Sequence, residues 1–245
     1  MSKTPDLMGM LKAGLHFGHR TSKWHPRMEP YVFTSRNGIH IVNLEETSKA
    51  LGRAVEFAKD ITSKNGLILF LGSKPQIKEM TKKYAMEAEM PYVVERWLGG
   101  TITNFGIVSK GIKKYIELKE QKKKGEWDKY VKKERLKLDK ELEKLEKKFG
   151  GMEIVKKIPD AILVVDAKGE KTAIKEAKIR KVPVIALCDT NINPDGINYV
   201  IPGNDDSIKG VKLIFETIVE AIKEGKSKKD LPAATTTLQA GEDKK

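Results

Sequence analysis

The residues best suited to hold a ligand lie near the amino end, in His16-Phe17-Gly18-His19. Imidazoles three positions apart share a face if the segment is helical, and Asp189 or Asp205 would complete a set for a divalent ion. The competing reading is that both rings pack inside an ordered arm or meet phosphates. The pattern alone assigns no metal and no other cofactor. Asp166 and Asp189 each close an apolar run, where paired carboxylates can grip a cation. Carboxylates at such places also cap the turns that follow.

Signatures of catalysis are missing. No G-x-G-x-x-G follows the first apolar run, and G-x-x-x-x-G-K-[ST] and G-x-S-x-G do not occur. Gly72-Ser73-Lys74 before a helix start could cradle a phosphate, but an ordinary capped turn reads the same way. Histidine stops at His40, so a histidine-based triad would have to draw on His16, His19, His25 or His40. The lone cysteine, Cys188, sits in an apolar run and reads as a buried, inert thiol in a reducing compartment. An enzyme acting on a phosphorylated small molecule, with Lys74, Asp166 and Asp189 central, is the rival reading.

Cations carry the stronger signal. The chain of 245 residues has a formal charge of +13, which points to a polyanionic partner. Between Lys110 and Phe149, 16 lysines and arginines face 9 acids, a surplus of 7. Lys113, Lys114, Lys122, Lys123, Lys124, Lys132 and Lys133 are the candidates there to neutralise RNA phosphates. In the first 38 residues Lys12, Arg20, Lys23, Arg27 and Arg36 are joined by Trp24, a mixture suited to irregular RNA. A coiled-coil module that anchors another protein is a third reading of the same segment.

These residues need a scaffold, and the hydrophobic pattern supplies one. Residues 1–38 read as a basic, irregular arm. Ile39 to Leu44 reads as the first strand of an α/β domain covering 39–104 and 152–224. Asn43 and Glu46 mark a helix start, and Ser73 with Gln76 a second. Leu67–Leu71, Tyr92–Val94, Ala161–Val165, Val184–Leu187 and Tyr199–Ile201 read as strands alternating with helices, which gives a parallel sheet with helices on both faces. Residues 105–151 read as an inserted antiparallel hairpin. Its apolar seam runs Phe105, Val108, Ile112, Tyr115, Leu118, then Val131, Leu138, Leu142, Leu145 and Phe149. Residues 225–245 lack periodicity and read as a disordered tail. No signal peptide and no membrane span are expected.

Several segments, in order, resemble one family. Met10-Leu11-Lys12-Ala13-Gly14-Leu15-His16-Phe17-Gly18-His19 and Trp24-His25-Pro26-Arg27-Met28 open the series. Arg96-Trp97-Leu98-Gly99-Gly100-Thr101, Ala173-Ile174-Lys175-Glu176-Ala177 and Ile201-Pro202-Gly203-Asn204-Asp205-Asp206 continue it. Together they are similar to bacterial small-subunit ribosomal protein two, from about residue 8 to 226. The resemblance implies a flavodoxin-like parallel sheet with an inserted coiled-coil hairpin and no catalysis. It implies a cytoplasmic, ribosome-bound protein lying between head and body of the small subunit. The implied partners are small-subunit ribosomal RNA and neighbouring proteins, including protein one, with no membrane and no small-molecule substrate. Arg96 and Trp97 are expected to shape a packed turn, with Gly99-Gly100 allowing tight backbone there.

Overall fold

The structure, a computed structural model, describes residues 4–229. Asp6 caps the short helix α1 (Leu7–Lys12) by accepting from the Gly9 amide at 3.0 Å. The chain then forms β1 (Phe17–Arg20), β2 (Val32–Arg36) and β3 (Ile39–Val42), an antiparallel sheet in the order β1-β3-β2. This corrects two expectations. Residues 4–38 are not an irregular arm, and Ile39–Leu44 does not begin the parallel sheet. The physical reason is Asn37-Gly38, which takes φ of 50° and 73° and closes a two-residue hairpin between Arg36 and Ile39.

Asn43 starts α2 (Leu44–Ser63) by accepting from the Glu45 amide at 3.0 Å, as expected. Leu51, Ala54, Val55 and Ala58 form its buried stripe. β4 (Ile68–Leu71) follows, buried at every position. The second helix starts later than the sequence predicts: α3 (Lys78–Glu87) begins only at Lys78. Ser73 does not cap it, because its hydroxyl hydrogen-bonds the Glu170 carboxylate across the sheet edge. β5 (Tyr92–Val93) is short, and its Tyr92 amide donates to Gly151 O at 2.8 Å.

The hairpin consists of α4 (Phe105–Lys123) and α5 (Lys132–Phe149), joined through Gly125 and a single turn at Glu126–Lys129. Val108, Ile112, Tyr115 and Leu118 are buried on α4, and Leu142 and Phe149 on α5. Val131 departs from the expected seam and is 66% exposed, because it stands at the N-cap, before the helix has turned toward its partner. Trp127, in the connecting turn, fills that end of the seam instead. The two helices approach closely at Gly111, where a Cβ would stand 2.7 Å from the Phe149 ring.

β6 (Ala161–Val164), α6 (Lys171–Arg180), β7 (Val184–Cys188), β8 (Tyr199–Pro202) and α7 (Ile208–Lys229) complete the chain. The parallel sheet runs β5-β4-β6-β7-β8, the flavodoxin-like order with the switch between β4 and β6. Alternate residues of each strand feed two cores. Ile68 and Phe70 face Leu51, Tyr84, Phe215 and Ile218 of α2, α3 and α7. Leu69 and Leu71 face the other way, in one continuous cluster with Ala173 and Ala177 of α6 and the seam of the hairpin. Each of these leucines, isoleucines and phenylalanines contributes roughly 1.5–3 kcal/mol on burial. The last helix runs to Lys229, past the 224–225 boundary expected from the sequence, because Gly225 packs against Lys59 and Thr62 of α2. The rest of the expected tail, 230–245, lies outside the described residues.

Candidate functional site

In an open parallel sheet a ligand site forms outside the carboxyl ends of the strands, at the switch. Here the chain's own side chains fill that place. Ser73, after β4, is hydrogen-bonded to Glu170, after β6, so the switch is bridged from both sides. Lys74 reaches across to Asp206, and to Asp205 Oδ1 at 3.4 Å. Burial works to lower the Lys74 ammonium, but the hydrogen bond to Asp206 and the charge of Asp205 outweigh it and raise its pKa. Burial pushes the Asp205 carboxyl up to about 6, with Lys74 offsetting only part of the rise. Asp166 caps its own turn, accepting from the Gly169 amide at 2.9 Å. Cys188 is wholly buried, and burial pushes its thiol far above the usual range.

The four metal candidates are not assembled as ligands. His16 ends a turn and His19 lies on β1, so the shared helical face does not exist; residues three apart on a strand face opposite ways. His19 Nδ1 meets Asp189 Oδ2 at 2.9 Å, and its amide donates to Asp189 Oδ1 and Thr190 Oγ1. His16 packs at a tilt against the Phe17 ring, and Asp205 is engaged by Lys74. Among the described residues no group of three or more His, Cys, Asp or Glu is arranged to hold a metal ion. What the His19 contacts do is clamp β1 of the small sheet onto the end of β7.

The turn at Trp97-Leu98-Gly99-Gly100 is built around a residue that the pattern reading did not single out. Glu176, on α6, is 6% exposed and accepts five hydrogen bonds. Its Oε1 takes the Trp97 indole at 3.1 Å and the Gly100 amide at 2.7 Å. Its Oε2 takes the amides of Ile102 and Thr103 and the Thr103 hydroxyl, at 3.0 to 3.1 Å. Burial acts to raise the carboxyl's pKa, and these donors outweigh it and hold it below the ordinary value. Trp97 is buried as expected, whereas Arg96 is exposed. Gly100 adopts φ of 92°, the left-handed region where a side chain is strained; Gly99 does not. The signal available in the sequence was an acid on the apolar stripe of α6, between Ala173 and Ala177.

The predicted RNA-contacting cations lie on the surface in two places. Lys12, Arg20, Lys23, Arg27 and Arg36 are exposed around the small sheet. Trp24 is half-buried and its ring packs 5.3 Å from that of His40. Arg27 is paired with Asp195. On the hairpin Lys114 pairs with Glu141, and Lys122 with Asp139 at 2.7 Å while covering the Trp127 ring. Lys113, Lys123, Lys124, Lys132 and Lys133 are exposed, and none has a carboxylate at ion-pair distance among the described residues. The structure thus divides the candidates into those held by internal acids and those left free.

The chain that folds into this sheet and inserted lysine-rich hairpin matches a family model for Ribosomal protein S2 over residues 10–225. The chain belongs to the ribosomal protein S2 family. It is 45% identical over 224 residues to small ribosomal subunit protein uS2 of Shewanella piezotolerans, covering 91% of this chain and 93% of that one. The uS2 protein of Roseiflexus castenholzii is 43% identical over 225 residues, 92% of this chain and 86% of its own. That of Shewanella amazonensis is 45% identical over 223 residues, with coverage of 91% and 92%. As a member of this family, the chain is a structural component of the small ribosomal subunit that supports translation, not an enzyme. No helix among the described residues is long and apolar enough to cross a membrane.

Proposed function

We propose that the chain binds small-subunit ribosomal RNA through the free lysines of its hairpin and the cations of its small sheet. In this reading the α/β body is a rigid platform and the hairpin is a strut that carries charge to phosphates. The body sits between head and body of the subunit, contacts neighbouring proteins there, and helps recruit small-subunit protein one. It needs no cofactor and no small-molecule substrate. One observation carries the proposal: five exposed hairpin lysines with no carboxylate at ion-pair distance among the described residues, on a segment whose cations exceed its acids by 7. Solvated helix faces normally balance such charge with acids three or four residues away. Here the ion pairs run between the helices or across the turn, Lys114 to Glu141, Lys122 to Asp139 and Arg135 to Asp128, and a surplus remains beside them. RNA recognition of this kind reads backbone and shape, which suits lysine, a mobile point charge.

The test is co-sedimentation of the tagged chain with small subunits through a sucrose gradient at low and high salt. Comigration that weakens as salt rises is the expected result. Migration as a free protein at every salt concentration would remove the proposal. Binding that survives nuclease treatment would favour a protein anchor over an RNA contact.

A further inference from the structure

Asn-Gly occurs twice in the sequence, at Asn37-Gly38 and at Asn65-Gly66. An asparagine side-chain amide is an electrophile within reach of the next backbone nitrogen, which can close a five-membered ring on it. Glycine in the following position removes the side chain that would otherwise block the approach. Ring closure then depends on whether that nitrogen is free and whether the peptide can swing. The fold treats the two pairs differently on both counts.

At Asn65-Gly66 the backbone is tied down. The Asn65 amide donates to Thr62 O at 3.1 Å, the Gly66 amide to Ile61 O at 2.9 Å, and the Leu67 amide to Asp160 Oδ2 at 2.8 Å. Gly66 is also packed tightly, since a Cβ there would clash with the Ile61 side chain and stand 2.9 Å from Ile61 O. At Asn37-Gly38 both residues are exposed, and a Cβ on Gly38 would meet nothing within 4 Å. Neither the Gly38 amide nor the Asn37 side chain has a hydrogen-bond partner among the described residues. Beyond the closure of the hairpin itself, one contact restrains the turn, the Thr21 amide on Gly38 O at 2.9 Å. Charge favours reaction at the same place. Arg20 on β1 and Arg36 on β2, both exposed, are the cross-strand partners of Ile39, the residue after Gly38. Their field favours the amide anion that attacks and the hydroxide that forms it.

We infer that Asn37 is a site of spontaneous deamidation. Hydroxide takes the Gly38 amide proton, and the nitrogen attacks Asn37 Cγ. The new C–N bond closes a succinimide, the Cγ–Nδ2 bond breaks, and the leaving nitrogen takes a proton from water and departs as ammonia. Water then opens the ring at either carbonyl, so that one ammonia is lost for one water gained. One opening gives aspartate. The other gives isoaspartate, whose main chain runs through Cγ and is one atom longer. Either product places a carboxylate beside Arg20 and Arg36. Isoaspartate also no longer fits a two-residue hairpin loop, so the pairing of Arg36 with Ile39 is lost. The result is an ageing step that loosens β2 from β3 and offsets one positive charge of the small sheet. Its effect on function rests on the reading that these cations engage the subunit.

The full chain is incubated in mildly alkaline buffer, and the peptides containing Asn37 and Asn65 are quantified by mass spectrometry with aspartyl and isoaspartyl forms separated. The Asn37 peptide should gain one mass unit progressively, faster as hydroxide rises, and appear as a mixture of the two products. The Asn65 peptide should convert at least about tenfold more slowly, because its nitrogen is freed only by local unfolding. Equal rates at the two sites would overturn the inference. So would an Asn37 peptide that stays unchanged in the folded chain while a short peptide of the same sequence converts. Fresh, aged and Asn37→Asp chains are then compared for occupancy on purified small subunits. Several-fold lower occupancy of the aged chain, below that of Asn37→Asp, is the result expected from a broken turn. Equal occupancy of fresh and aged chains, with isoaspartate measured in the aged one, would overturn the functional consequence. A fresh chain that does not occupy subunits would count against the proposed function, while the mass data decide the deamidation separately.

Discussion

The body and the hairpin handle charge in opposite ways. In the body, the buried charged groups are matched internally. Glu176 takes five donors, Lys74 is held by Asp205 and Asp206, and Glu216 accepts the Tyr84 hydroxyl at 3.0 Å. In the hairpin only a narrow seam is buried, with Leu142 and Phe149 its two buried positions on α5, and charge is left over. The difference teaches where each region draws its order. The body is fixed by its own contacts. The hairpin has a folded spine and a surface prepared for something else.

Removing an internal acceptor should break the body most severely. Glu176→Ala leaves five donors in a nearly dry place, an expected loss of roughly 3–5 kcal/mol. That corresponds to a fall in Tm on the order of 10 °C for a chain of this size. Glu176→Gln should do almost as badly, since both oxygens face donors and one would become an amide nitrogen. Thermal unfolding followed by circular dichroism checks both, and a variant within 1–2 °C of the parent would refute the role given to Glu176.

The hairpin's spine should fail locally. Leu142→Ala is expected to cost about 2–3 kcal/mol. The loss should appear in hydrogen exchange as weaker protection of α4 and α5, with β4, β6 and β7 unchanged. Uniform loss across the molecule would show that hairpin and body unfold as one unit. The shared apolar cluster at the hairpin's base makes the residues nearest the sheet the most resistant.

Asp205 gives a smaller effect with a definite sign. Its carboxyl is raised from 3.8 to about 6 by burial, so the folded state keeps a proton that the unfolded chain releases between those values. Stability contributed by this group is therefore present below about pH 4, falls as pH rises to about 6, and is level above. Relative to Asp205→Asn, the parent should lose roughly 2–3 kcal/mol across that window. Parallel stability curves for the two proteins between pH 4 and 7 would contradict the burial of an ionisable Asp205.

Much of this contrast was legible in the sequence, and the reasons are specific. Leu67–Leu71 and Ala161–Val165 are unbroken apolar runs, and only a strand covered on both faces uses them. The hairpin seam was readable because apolar spacing of three and four persists over two helices. The small sheet was missed because Asn37-Gly38, a strong hairpin signal, sat among cations that read as an arm. Ser73 reads as a cap because nothing local reveals that Glu170, 97 residues away, competes for its hydroxyl. A separation of 73 to 79 residues likewise hides the five donors of Glu176. Which lysines are free is likewise a tertiary fact: Lys122 and Lys123 are neighbours in sequence, yet Asp139 claims only the first.

The smallest effect on stability should accompany the largest effect on function. Charge reversal at Lys123, Lys124, Lys132 and Lys133 touches exposed side chains and is expected to change stability by no more than about 0.5 kcal/mol at each site. Acids at 132 and 133 favour the start of α5, while those at 123 and 124 disfavour the end of α4, so the changes oppose. Lys122 is left intact because it supports Trp127 and Asp139. The deciding measurement is the occupancy of this variant on purified small subunits, in competition with the parent at physiological salt. Occupancy several-fold below the parent, with an unchanged Tm, is the expected result. Equal occupancy would contradict the claim that the hairpin's surplus charge holds RNA.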